Sequence, residues 1–157
     1  MSEKFYLAEV NIGRLLGGRD DPHLADFFAN LDRVNALADR MPGFVWRLKD
    51  ETGNAISIHW PGDPTMNVNL SVWESIEALE KFVFQTAHTR IYARKHEFFE
   101  KPSAPTVAMW WVPVGHIPTL DEAKVHLDHL IANGPSEFAF SWESVPQAKL
   151  WREARCA

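Results

Sequence analysis

Hydrophobic and polar residues follow one another along this chain with two clear periods. Over residues 66–73 they alternate with a period of two, which is typical of a strand with two different faces. One face carries Met66, Val68, Leu70 and Val72, and the other carries Asn67, Asn69, Ser71 and Trp73. After Asp20-Asp21-Pro22, an acidic cap with proline, apolar residues recur at helical spacing until Pro42-Gly43. The pattern therefore predicts a mixture of strands and helices.

Six elements follow from these periods, and a helix and a short strand come after them. The six are a strand at 5–12, a helix from Pro22, strands at 44–48 and 66–73, a helix capped by Ser75 that continues or kinks near Thr86, and a strand at 106–112. The helix and the short strand after them lie at 120–133 and 138–142. Residues 56–58 extend the hairpin after the second strand. Thr119-Leu120-Asp121-Glu122 predicts a capping box in which Glu122 reaches back to the cap.

The order β-α-β-β-α-β predicts an α+β, ferredoxin-like fold, followed by a C-terminal α-β appendage. We expect one domain over residues 1–157, with its core at 5–142 and a polar tail at 146–157. In this fold the helices cover one face of the sheet. Trp46, Trp73 and Trp110 place large groups on the second face, so we predict that two copies pair as a homodimer, a dimeric α+β barrel.

Composition narrows the class of protein. The 157 residues carry a net charge of −5 with both signs interspersed, which gives no support for a nucleic-acid partner. No apolar run approaches the ~20 residues that span a bilayer. The start lacks the pattern of a secretory signal, and the one cysteine, Cys156, excludes an internal disulfide. We therefore expect a cytoplasmic protein without a membrane partner.

The chain has no phosphate-binding loop, nucleophile elbow, zinc-protease helix or dinucleotide fingerprint. Among seven histidines, His126 and His129 share a helix face, but no further ligands complete a metal site, and exposed histidines explain them. His88 interrupts the apolar pattern of the second helix, and Tyr92 lies four residues further on. We interpret His88 either as a hydrogen-bonded structural histidine or as a functional group, namely an acid, a base or a metal ligand. In the second case, Asn11 on the central first strand orients a bound polar molecule.

Two further side chains have open interpretations. Arg47 alternates with Trp46, and if buried it needs an anion, either a carboxylate such as Glu9 or the carboxylate of a ligand. His116 lies in the loop before the last helix, where it either covers the mouth of a pocket or is a plain loop residue.

Several segments of the chain resemble an uncharacterised bacterial family, a domain of unknown function in the dimeric α+β barrel superfamily. The resemblance covers residues 5–142 and is carried by Leu7-Ala8-Glu9-Val10-Asn11, the Pro22-initiated helix, Pro42-Gly43-Phe44-Val45-Trp46-Arg47-Leu48, Ser71-Val72-Trp73-Glu74-Ser75, Ala87-His88 and Trp110-Trp111-Val112-Pro113-Val114-Gly115-His116. It implies a dimeric barrel but no established reaction.

More distantly, the segment from Val72 to His88 is similar to the antibiotic-biosynthesis and haem-degrading monooxygenases of that superfamily. This resemblance implies a site that includes Asn11 and His88, with His88 as a haem ligand. Phe82 stands at the position of a tryptophan in the haem-degrading members and lacks its indole N–H.

Three hypotheses follow for a pocket between the sheet and the helices. In the first, the chain is a monooxygenase-like enzyme for an aromatic or planar substrate, needing no cofactor, with His88 as base. In the second it binds haem through His88, which is then its only metal ligand. In the third the dimer binds a ligand or is structural, without catalysis. The residues that we expect to be catalytic, through their polar groups, are Asn11, His88 and Tyr92, and those that we expect to bind the substrate are Trp46, Arg47, Trp73, Phe82, Trp110 and His116.

Overall fold

A computed structural model describes residues 4–18, 20–51, 53, 58–63, 65–86 and 88–145. Its four strands are β1 (Phe5–Arg14), β2 (Phe44–Arg47), β3 (Met66–Trp73) and β4 (Val107–Pro113). They form one antiparallel sheet in the order β2-β3-β1-β4. This order confirms the ferredoxin-like prediction, and it makes β1 and β3 the two central strands.

Within the described residues, five α-helices connect or follow these strands. They are α1 (Ala25–Arg40), α2 (Ile76–Gln85), α3 (His88–Ala93), α4 (Lys95–Phe98) and α5 (Leu120–Asn133). A 3-10 turn at Pro22–Leu24 precedes α1, and the Asp21 side chain caps it by accepting from the His23 N–H. The Ser75 hydroxyl caps α2 in the same way. The long second helix of the sequence prediction is therefore broken at Thr86, where the Thr86 hydroxyl donates to the Phe82 carbonyl.

The sheet is buried on both faces, and different helices cover each one. Leu7, Trp73 and Met109 lie on the first face and pack with residues of α1 and α2. Ala8, Val72 and Trp110 alternate to the second face, where α5 packs on them through residues such as Leu127. We call these the α1/α2 face and the α5 face. The prediction that Trp73 lies on the second face is wrong, because Trp73 is paired with Leu7 and not with Ala8.

The C-terminal part differs from the prediction in two places. Instead of a fifth strand at 138–142, Phe140 makes a single bridge to Met109 and a 3-10 turn follows at Trp142–Ser144. Thr119 does cap α5, but the Glu122 carboxylate bonds to other partners and does not reach back to the cap. Residues 56 and 57 of the predicted hairpin and the tail from 146 lie outside the described residues. In the part of the chain that is described, no helix has the length and apolar character that a membrane span requires.

Candidate functional site

The α1/α2 face carries polar side chains at its centre, where a buried sheet face is normally apolar. On the two central strands, Glu9 lies opposite Ser71 and Asn11 lies opposite Asn69. Gly13 and Asn67 continue the row toward the end of the strands. Asn69 is exposed and Asn11 is half-buried, so this polar row opens to solvent at one end. Glu9 lies at its closed end.

Hydrogen bonds join these side chains into one chain that converges on Glu9. The Asn69 amide donates to Asn11 Oδ1 at 3.1 Å, and the Asn11 amide donates to Glu9 Oε1 at 2.9 Å. From the other side, the Trp73 indole N–H donates to the Ser71 hydroxyl at 2.9 Å. That hydroxyl donates in turn to Glu9 Oε2 at a longer 3.5 Å. Both carboxylate oxygens therefore have a neutral donor beside them.

Glu9 itself is only 6% exposed. Burial raises the pKa of its carboxyl to about 7, against the opposing effect of the hydrogen bonds from Asn11 and Ser71. The ordinary value for this group is 4.5. A carboxyl that is half ionised near neutral pH can both take and release a proton under physiological conditions, as a general acid or base must.

A series of aromatic rings leads from this polar row to the helices α2 and α3. Trp73, which is 1% exposed, stacks on Phe82 with ring centroids 5.3 Å apart. The Phe82 ring packs against His88 at 4.9 Å, and the His88 ring lies 6.3 Å from Tyr92. The structure thus brings together four residues that the sequence analysis named, Trp73, Phe82, His88 and Tyr92. Hydrogen bonds from Trp73 through Ser71 and Glu9 connect this group to Asn11.

The ring of His88 is fixed by a backbone partner. Its Nδ1–H donates to the Val83 carbonyl at 3.3 Å, which leaves Nε2 as the nitrogen with the lone pair. Burial lowers the pKa of His88, with the Val83 bond as a smaller opposing effect. The imidazole is therefore neutral at pH 7.

The structure separates other predicted residues from this group. Trp46 and Trp110 lie on the α5 face, so they do not form walls of one pocket with Trp73 and Phe82. The reason is the register, because Trp46 and Trp110 are paired with Val72 and Ala8, whose side chains point to the opposite face. His116 also belongs to the α5 side, where its Nε2 lies 2.7 Å from Glu122 Oε1.

Trp110 has its own partners on that side. Its indole N–H donates to Glu122 Oε2 at 3.1 Å, and its ring stacks on His126 at 4.4 Å. These contacts join β4 to α5. They give Trp110 and His116 structural partners at a distance from the polar row.

Arg47 lies on the α1/α2 face but at its edge. Its Nε is 2.8 Å from Asp39 Oδ1 on α1, and its Nη1 donates to the Gly53 carbonyl at 2.6 Å. Glu9 is therefore not its partner, contrary to the pairing suggested from the sequence. The Arg47 guanidinium and its hydrogen bonds lower the pKa of Asp39.

Glu9, Ser71 and Asn69 belong to the candidate site by their hydrogen bonds, and the sequence analysis did not name them as site residues. Alternating polar residues on a strand are normally read as a solvated face, and this is how Asn67, Asn69 and Ser71 look in isolation. The available signal was that both central strands of the predicted fold carry polar residues, with Glu9 and Asn11 on the neighbouring strand. Only the register shows that the two polar rows face each other.

Other features of the described residues offer less chemistry. No group of three or more histidine, cysteine, aspartate or glutamate residues within the described ranges could hold a metal ion. An open depression of about 580 Å³ lies beside Trp111 and Phe140. A smaller one, of about 130 Å³, lies between α1 and α3 beside Arg33, Arg90 and Arg94.

Comparison with known proteins gives a family for almost the whole chain. Residues 6–156 match the model described as Domain of unknown function (DUF3291). The chain belongs to the DUF3291 family. A search of the curated proteins found no match for this DUF3291 chain.

Several solved structures are similar to this DUF3291 chain at low sequence identity. A variant of SnoaB, a cofactor-independent oxygenase from Streptomyces nogalater, is 16% identical, with a TM-score of 0.43 over 71% of this chain and 95% of that one. PA3566 from Pseudomonas aeruginosa is 13% identical, with a TM-score of 0.46 over 75% of this chain and all of that one (100%). NE2512 from Nitrosomonas europaea, a protein of unknown function, is 12% identical, with a TM-score of 0.45 over 75% and 97%.

Proposed function

We propose that this chain is a monooxygenase-like enzyme that binds a small planar molecule on the α1/α2 face. The observation that carries the proposal is the polar row of Glu9, Asn11, Asn69 and Ser71 at the centre of a face that also carries Trp73. A few convergent polar groups beside an apolar aromatic wall are the typical composition of a small-molecule site. The open end at Asn69 gives a ligand access.

The reaction that suits these groups starts with removal of a proton. A phenol or an acidic C–H next to an aromatic carbonyl becomes an electron-rich anion when it loses its proton to a side chain. Such an anion reacts with molecular oxygen to give a hydroperoxide, which loses water and leaves a carbonyl group. Overall, a CH₂ group and O₂ give a C=O group and H₂O, so the balance requires only oxygen and a base. His88, neutral with a lone pair on Nε2, and Glu9 are the two candidate bases.

Oxygen uptake by the purified protein with a panel of naphthols and anthrones tests this function. We expect uptake with at least one substrate, and a loss of 10²-fold or more in an Asn11→Ala, Trp73→Ala double variant. The matched control is Glu122→Gln, which changes a carboxylate on the α5 side. No oxygen uptake with any member of the panel would contradict the proposed function.

Haem binding through His88 is the second candidate, and one observation favours it. The bond from Nδ1–H to the Val83 carbonyl orients the ring and leaves Nε2 free to act as an axial ligand, the arrangement common in metal-binding histidines. A haem iron would supply oxygen activation. Titration with hemin would give a Soret shift that His88→Ala abolishes. An identical shift in that variant, or none in the wild type, would exclude His88 as the ligand.

We also propose that the protein is a homodimer. The sequence predicts pairing through an uncovered sheet face, but α5 packs on that face in this chain. Exposed apolar side chains instead lie near the β4 edge, where Phe5 and Trp111 are each 43% exposed. Light scattering of the wild type and of Trp111→Glu tests this pairing. We expect a dimer that the charge at position 111 weakens.

A further inference from the structure

The sequence points to His88 as the base, but the position of Glu9 calls for a different assignment. Glu9 lies on central strand β1, between Ser71 of β3 and the fully buried Met109 of β4. A carboxylate at such a position normally has a cation beside it, since burial of an unpaired charge is costly. None contributes here: among the described residues, only Asn11 and Ser71 favour the ionised form of Glu9.

Among the described residues, no charged side chain of the neighbouring elements is a cause of the pKa shift of Glu9. Arg47 of β2 is paired with Asp39 of α1. On the α2–α3 side, Glu80 is buried in α2, and His88 is separated from Trp73 by the Phe82 ring. The Glu9 carboxyl therefore titrates among neutral partners.

The hydrogen bonds around Glu9 have a fixed direction. Because the Trp73 indole can only donate, the Ser71 oxygen accepts from it and the single Ser71 proton is directed to Glu9. Because the Asn69 amide donates to Asn11 Oδ1, the Asn11 side chain presents its NH₂ group to Glu9. The Ser71 hydroxyl and the Asn11 amide thus both donate to Glu9. These donors favour the ionised carboxylate, the form of Glu9 that accepts a proton.

The exposed end of the polar row is the side from which we expect a ligand to approach this carboxylate. Trp73 and Phe82 close one end of the row, and the exposed Asn69 opens the other. A planar molecule that lies along the row over Asn11 would place a hydroxyl group beside Glu9.

We infer that Glu9 is the catalytic base of the site and that the substrate is a weak oxygen acid of the phenol or enol class. The inference rests on the proposed function, whose first step it assigns. In that step the O–H bond of the substrate breaks and its electron pair stays on oxygen as a phenolate. The proton forms a bond to a Glu9 carboxylate oxygen, and Glu9 becomes the neutral acid. No oxidant is needed for this step.

Proton transfer to Glu9 can be measured without turnover. The probe is 4-cyanophenol, whose phenolate and phenol differ in absorbance, added to the protein without oxygen at about pH 7.5, where the pKa of about 7 leaves Glu9 largely ionised. We expect a larger phenolate fraction for the probe bound to the wild type than for the probe bound to Glu9→Gln. Glu9→Gln should bind the probe as the neutral phenol. Glu9→Asp, which keeps a carboxylate, and the control Glu122→Gln should retain the ionised fraction.

The same variants give a kinetic readout with any phenol that the enzyme oxidises. We expect kcat/KM of the wild type to rise with pH up to about 7. Glu9→Gln should lose that rising limb and 10²-fold or more in rate, whereas His88→Gln should keep the limb.

Equal ionisation of the probe by the wild type and Glu9→Gln would overturn the inference, and so would a bound probe that stays neutral in both. Phenolate formation without oxygen uptake would overturn the proposed oxygenase function alone, and failure to bind any phenol would overturn both.

Discussion

The guanidinium of Arg47 pairs with the Asp39 carboxylate, with 2.8 Å between Nε and Oδ1, and so ties the end of β2 to α1. This pairing leaves Glu9 without the cation that the sequence suggested for it. The buried carboxyl depends instead on neutral donors, the Asn11 amide and the Ser71 hydroxyl. Burial therefore raises the pKa of Glu9, and only these neutral donors oppose the effect.

The first prediction concerns the free energy of unfolding as a function of pH. The folded protein binds the Glu9 proton up to about pH 7, whereas the unfolded chain releases it near 4.5. The contribution of this group is therefore full below pH 4.5 and is lost as the pH rises through 7. The predicted loss is roughly 3 kcal/mol, because each unit of pKa difference corresponds to about 1.4 kcal/mol.

Urea titrations of wild type and Glu9→Gln across this range measure the effect. The variant keeps the shape of the side chain but cannot ionise, so its unfolding free energy should lack this decrease and exceed that of the wild type above pH 7. Glu122→Gln serves as the control for a carboxylate on the α5 side. Parallel curves for wild type and Glu9→Gln would show that Glu9 does not have a raised pKa.

The second prediction concerns Arg47, which sequence reasoning placed in the substrate site. Its side chain is only 13% exposed and bonds to Asp39 and the Gly53 carbonyl. We expect Arg47→Met to lower the free energy of unfolding by about 1–2 kcal/mol, through the lost hydrogen bonds. Binding of 4-cyanophenol should be unchanged. A variant with normal stability and lost probe binding would return Arg47 to the ligand site.

The third prediction concerns Trp110, which sequence reasoning also placed in the pocket. Trp110→Phe keeps most of the buried ring but removes the N–H that donates to Glu122. Its cost should be about 1 kcal/mol in stability, as measured by urea unfolding, and oxygen uptake should be unchanged. His116→Ala should behave similarly, because His116 bonds to the same carboxylate. Loss of activity in a fully stable Trp110→Phe protein would contradict the separation of the two faces.

The fold was largely predictable, because alternation along β3, the cap at Asp21 and the proline and glycine stops are local signals. The site was only partly predictable. Asn11, Trp73 and His88 lie in or beside the candidate site, but Trp46 and Trp110 were assigned to the same pocket, since a one-residue difference in register moves a side chain to the other face. Glu9 was missed as a functional group, because its environment comes from β3 and β4, which are distant in the sequence.

The last prediction concerns His88, whose effect on stability has the opposite sign to that of Glu9. Burial lowers its pKa in the folded protein below the ordinary value of 6.5, so the unfolded chain binds the proton more readily. The stability that His88 contributes is therefore present above pH 6.5 and is lost as the pH falls. Proton NMR of the imidazole should show a titration midpoint below pH 6.5. In His88→Gln the acid-side loss should be smaller, and the Glu9 dependence should remain. An imidazole that titrates at its ordinary pKa would show that burial does not penalise the charged ring, and would contradict this prediction.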